Sequence, residues 1–169
     1  MTSSQSRVKL LLYSMTILLA YLLEDAAFPP LNTLYNPLIL PVAITAIGIT
    51  EGHEKGTIFG LAAGLLWALG TDFNMYGAWR IIAFTLTGLV SGLLTGAYFL
   101  NNLKTCLLLS IPALALSDGL FVIFRSFAGS LPPAAVFTLF LPQAAISLIF
   151  CLIFYPLASY ISRIGGFHG

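Results

Sequence analysis

Charge is what this chain has least of. It carries six acids and seven lysines and arginines in 169 residues, 8% of the total, against about 25% in an ordinary soluble domain. So few charges cannot cover a water-facing surface of this length, and they leave no basic patch for nucleic acid. Cysteine and histidine occur twice each. Cys106 and Cys151 show no metal-ligand spacing and read as packing residues. His53 and Glu54 open the string HEKGT, which lacks the second histidine of a zinc-protease helix, and His168 lies in the last residues. No phosphate-cradling glycine loop is present, because the glycines recur inside apolar runs. An acid, a base and oxyanion donors cannot be assembled from this inventory, so no enzyme, cofactor or metal is expected.

Apolar residues are what remain: 59% of the chain, with a mean hydropathy of +0.97. The solvent is then largely lipid. In lipid every backbone group must be paired internally, which permits helices or a closed barrel. The apolar runs are continuous rather than alternating, so helices are expected. Six spans can be drawn, at 9–23, 34–50, 56–71, 81–100, 105–124 and 134–158. The fold class is therefore an all-α integral membrane protein, a six-transmembrane-helix bundle forming one domain over residues 1–169. The second and third spans fall short of the roughly 20 residues a perpendicular crossing needs.

The breaks between spans have local causes. Pro29 and Pro30 follow Glu24 and Asp25 and stop the first span. EGHEK and NNLK place polar groups after spans two and four, and GSLPP is a turn before span six. Pro37, Pro41, Pro112, Pro142 and Pro156 fall in or at the edges of spans, where kinks are expected. With the first residue inside, one face of the membrane collects Arg7, Lys9, Lys55, Lys104 and Arg163, and the other only Arg80 and Arg125. The excess of basic residues puts both termini in the cytoplasm. The first span has a basic start but no small-residue cleavage site, so it reads as a retained helix.

Glycine is plentiful where a soluble helix would exclude it. Gly52, Gly56, Gly60 and Gly64 recur every fourth residue, and Gly88, Gly92 and Gly96 repeat the device in span four. Successive members of such a stripe drift about 40° around a helix, and each costs a helix interior about 1 kcal/mol relative to alanine. Between helices in lipid, close approach replaces the hydrophobic drive, and small residues allow it. A tightly packed pair of spans three and four is expected. The stripes serve either packing within the bundle or the helix of a partner protein.

Three polar features stand apart. Asp118 lies within span five, about 21 Å along a helix that leaves the cytoplasm near Lys104. An acid at that depth is either functional or a structural hydrogen-bonding group, and must face the bundle or a wet outer cavity. Arg80, at the outer end of span four, has the reach to meet it. The segment TDFNMYGAWR, with Asp72, Asn74, Tyr76 and Trp79, together with Trp67, forms either an interfacial aromatic belt or the lining of an outward pocket. Glu51, His53, Glu54 and Lys55 form a solvated cytoplasmic turn or a docking loop for a partner.

The stretch EKGTIFGLAAGLLWALGTDFNMYGAWRIIAFTLTGLVSGLL resembles the rod shape-determining protein MreD family. The matching positions are Gly56, Gly60, Gly64, Leu65, Leu66, Gly77, Gly88 and Gly92, with Pro37 and Pro41 opening the span before them. The length and the six spans with cytoplasmic termini are similar over nearly the whole chain. One departure is Ala68, where family members often carry an acid after the tryptophan; Asp72 follows one turn later.

The resemblance implies a non-enzymatic scaffold in the bacterial inner membrane. Its partners would be an MreC-like bitopic protein, a RodA-type glycosyltransferase with its transpeptidase, and indirectly the MreB filament, together directing side-wall peptidoglycan synthesis. The family is also similar in topology to the substrate-binding subunits of energy-coupling factor vitamin transporters, which supplies the alternative function. Those subunits carry an alanine-xxx-alanine docking motif on the first helix, whereas LLLYSMTILLAYLL offers only Ala20.

Overall fold

The computed structural model describes residues 3–26, 37–70, 75–119 and 140–164, and among them every regular element is helical. The helices are α1 (Ser3–Ala26), α2 (Ile39–Glu51), α3 (His53–Gly70), α4 (Met75–Ala97), α5 (Leu103–Leu114, continued by a π turn over Ala115–Gly119), α6 (Leu141–Ile149) and α7 (Cys151–Arg163). α6 and α7 follow one apolar course, interrupted where Phe150 N–H bonds back to the Ser147 carbonyl. Three stretches are long and apolar enough to cross a membrane: Ser6–Asp25, Gly77–Ala97 and Leu141–Arg163. The expected turn GSLPP and Arg125 lie outside the described residues.

α2 is the centre of the bundle. Every residue from Ile39 to Ile49 is buried, and α1, α3, α4, α5 and α7 surround it. A helix that is apolar all round has no face to give to solvent, which is why this one lies inside. Its 13 residues cover about 20 Å, less than a hydrocarbon core of about 30 Å. The outer helices present large apolar side chains outward, among them Leu11, Met15, Ile58, Leu65, Ile82, Leu93, Leu108 and Ile153. Such an exterior is compatible with hydrocarbon and is far more apolar than a soluble surface.

The expected proline kinks are only partly present. Pro37 precedes α2, and Pro41 sits in its first turn, where the missing N–H has no carbonyl to lose. Pro142 is likewise in the first turn of α6. Pro112 and Pro156 are interior. After Pro112 the helix widens into the π turn, and the Ala115 N–H is shared between the Ile111 and Pro112 carbonyls. At the start of α5 the Asn102 side chain accepts from the Thr105 N–H at 2.8 Å, so NNLK is a helix cap as well as a polar turn.

α3 and α4 run antiparallel along a seam of glycines. A β-carbon on Gly56 would stand 2.5 Å from the Gly88 carbonyl oxygen, and one on Gly64 would stand 2.6 Å from Ile81 Cα. Gly60 faces the Phe84 backbone, Gly88 faces Gly56, and Gly92 faces His53 and Gly52. Partners fall along α4 as they rise along α3, so the two backbones stay in contact for the length of the stripe. Two of the glycines assigned to packing do otherwise. Gly52 has open space around it and a φ of +90°, and it forms the corner between α2 and α3. Gly96 meets nothing within 4 Å, because α4 outruns the start of α3 there. Gly48 of α2 joins the seam instead, against Ser91 and the Gly88 carbonyl.

Candidate functional site

The direction of the helices alternates, so their ends gather into two polar clusters. One contains the start of α1, the end of α2 and the end of α7. Lys9, only 7% exposed, donates to Glu51 at 3.3 Å and to the Ser162 carbonyl at 2.6 Å. Tyr13 donates to Glu51 at 2.9 Å and lies 3.1 Å from the Ala158 carbonyl. Lys55 makes a second ion pair with Glu51. The expected solvated turn is therefore divided: His53 and Glu54 are exposed, whereas the Glu51 side chain is buried and holds α1, α2 and α3 together.

The opposite cluster centres on Arg80, and every helical course contributes to it. The Glu24 carboxylate of α1 accepts from the N–H groups of Ile39 and Leu40, both at 2.9 Å. It thereby caps the first turn of α2 from another helix, where the helix dipole favours an anion. Ser147 of α6 accepts the Leu38 N–H at 2.8 Å. The other Glu24 oxygen lies 3.3 Å from Arg80 Nη1, and Arg80 Nη2 donates to Asp118 at 2.7 Å. Gln143 of α6 reaches the second Asp118 oxygen at 3.4 Å. The guanidinium lies over the Trp67 ring of α3 at 4.1 Å, with Phe84 at 5.8 Å.

This geometry explains how a buried arginine is tolerated. An isolated charge in a low-dielectric interior is strongly disfavoured, and a carboxylate on each side together with an aromatic face offsets that penalty. Glu24 receives three N–H donors, so both of its carboxylate oxygens are partnered. The π turn after Pro112 carries Ser117 and Asp118 inward, aiming the acid at Arg80.

A cavity of about 200 Å³ opens beside this cluster. Tyr21, Glu24, Asp25, Trp67, Arg80 and Gln143 line it, with Pro37, Leu38 and Gly70. The sequence reading pairs Arg80 with Asp118, and the structure has that pair; Trp67, read separately as belt or pocket lining, lies against Arg80. Trp79 is not in the cavity wall; its indole N–H donates to the Leu116 carbonyl at 3.2 Å and ties α4 to the π turn. Asp72 and Asn74 lie outside the described residues, as does the side chain of Tyr76.

No family model, no curated protein and no solved structure matches this chain. The site is therefore read from its own chemistry. Tyr21, Glu24, Asp25 and Gln143 were not among the sequence candidates for a pocket. Glu24 and Asp25 were read only as the end of a span, and Gln143 is the only amide in its apolar run. Tyr21 is admitted by Gly70, since a side chain at Gly70 would collide with the Tyr21 hydroxyl. Among the described residues no three His, Cys, Asp or Glu side chains gather as a metal-ligand set. Cys106 and Cys151 are buried between α5 and α7, where the Cys151 thiol lies 3.3 Å from Ser110 Oγ.

Proposed function

We propose that this chain is a six-pass membrane bundle of MreD type that acts as a scaffold in the bacterial elongation complex. It lies in the inner membrane with both termini cytoplasmic. It binds an MreC-like bitopic protein and stands beside a RodA-type glycosyltransferase and its transpeptidase, with the MreB filament reached indirectly. The observation that carries this reading is the α3–α4 seam. Gly56, Gly60, Gly64, Gly88 and Gly92 carry the resemblance, and they are the positions at which the two backbones touch. A shared pattern that coincides with a physical constraint is stronger support than a shared composition. The two polar clusters, which tie the helices together at both ends, favour a rigid body over a moving catalyst.

The alternative, a vitamin-binding subunit of an energy-coupling factor transporter, draws support from the cavity at Glu24, Trp67 and Arg80. The outer face of α1 speaks against it. Ala20 is fully buried, while Val8, Leu11, Met15, Leu18 and Leu22 face outward. Bulky residues there hold a docking helix away, where small ones would admit it.

The test is co-purification from membranes in mild detergent, followed by mass spectrometry. Recovery of an MreC-like protein in stoichiometric amount supports the scaffold. Recovery of a pair of ATPases with a coupling protein overturns it.

A further inference from the structure

We infer that the cavity beside Arg80 is a binding site for a single cationic nitrogen group, an alkylammonium or a guanidinium. The argument begins with charge. Glu24 and Asp25 line the cavity together with one guanidinium, that of Arg80, which is also paired with Asp118. Arg80 is already shared between Glu24 and Asp118, so it cannot also neutralise Asp25. Among the described residues, the end of the bundle that holds Glu24, Asp25 and Asp118 has Arg80 to set against them. The opposite end has an excess of base.

The walls suit the same ligand. Tyr21 presents aromatic surface to the cavity, and a cation is drawn to such a face by the ring quadrupole. At about 30 Å³ for each water-sized group, a cavity of about 200 Å³ takes roughly half a dozen non-hydrogen atoms. That is enough for an ammonium or guanidinium on a short alkyl stem. An anion of the same size would meet a surplus of carboxylate in a place of low dielectric, where like-charge repulsion is little screened. The site thus selects by sign. It does not depend on the scaffold reading, since a scaffold would seat a partner's lysine or arginine there and a transporter would seat a free amine.

Saturation-transfer NMR on the whole protein in nanodiscs tests this, with four probes of matched length: butylammonium, butylguanidinium, butyrate and butanol. Binding of both cations is expected, saturable and at least about tenfold tighter than that of butanol, with butyrate the weakest. Asp25→Asn should weaken both cations about three- to tenfold, as expected for losing one partly solvated charge partner. Asp25 is exposed, so this variant is expected to fold. Glu54→Gln, an exposed acid at the other end, should change nothing. Butyrate binding as well as butylammonium overturns the proposal, as does an unchanged cation affinity in Asp25→Asn. The source is then read by repeating the titration with a co-reconstituted MreC-like protein. Loss of the probe signal assigns the cation to a partner side chain, and retention assigns it to a free amine.

Discussion

Three glycines in this bundle stand in different surroundings, and alanine at each separates them. Gly56 has ordinary helical backbone but no room: its β-carbon would lie 2.5 Å from the Gly88 oxygen, 2.8 Å from Gly48 Cα and 3.1 Å from the Gly88 carbonyl carbon. The closest comfortable C–H···O distance is about 3.3 Å, so α3 and α4 must part by roughly 0.8 Å. All three obstacles are backbone, and no rotamer change relieves them. A gap of that size forfeits about a quarter to a half of each dispersion contact along the seam. Overpacking of this kind costs about 1–3 kcal/mol, and the better helix propensity of alanine returns up to about 1 kcal/mol. Gly56→Ala should therefore be destabilised by about 1–2 kcal/mol. Gly96, with nothing within 4 Å, has only the propensity gain to register, so Gly96→Ala should be neutral or stabilised by up to about 1 kcal/mol. Gly52 has the space but sits at φ +90°, and Gly52→Ala should lose about 1–3 kcal/mol to backbone strain. The assay is thermal unfolding in nanodiscs, monitored by the recovery of monodisperse protein after heating. If Gly56→Ala and Gly96→Ala shift the midpoint equally and in the same direction, the seam is not a backbone contact and the reasoning fails.

The Arg80 cluster makes its own predictions. Asp118→Leu leaves Arg80 short of one carboxylate and should lose about 3–5 kcal/mol, whereas Asp118→Asn keeps an acceptor and should lose less; chemical denaturation of the two variants side by side checks the order, and equal losses would contradict the pairing. Glu24→Ala removes a cap from α2 and a partner from Arg80, so it should lose more than the 0.5–2 kcal/mol typical of an ordinary cap, while Glu24→Gln should recover part of the loss; amide exchange at Ile39 and Leu40 reads the cap directly. At the other end, Lys9→Met removes a buried cation from Glu51 but leaves Lys55 and Tyr13 in place, so its midpoint should fall by less than that of Asp118→Leu. A phosphatase reporter that is active only in the periplasm should give no signal when fused after Arg163 and should give signal when fused within residues 125–133.

How much of this was legible in the sequence depends on what each residue was responding to. The seam was legible because spacing and consequence are the same thing there: glycine every fourth residue on two neighbouring helices leaves two backbones free to touch. Gly52 was misassigned to it because the letter does not reveal whether glycine is present for space or for a positive φ, and both readings fit the same period. Gly48 was overlooked for the opposite reason. It lies on α2, and its place in the seam follows from the tight corner at Gly52, which brings α2 across the α3–α4 contact. The Arg80–Asp118 contact was legible from rise per residue and side-chain reach alone. Glu24 was not, since its role depends on the start of α2 lying beside the end of α1. Glu51 was hidden in the same way among charged neighbours that do face outward. Each of these two missed carboxylates holds an end of α2, a helix with no amphipathic pattern to announce what surrounds it. Glu24 fastens one end and Glu51 the other, and both are fastened to α1, through Glu24 itself and through Lys9 and Tyr13. The burial of α2 follows from its uniform apolarity; its register along the bundle is a property of those two carboxylates, and only the assembled helices display it.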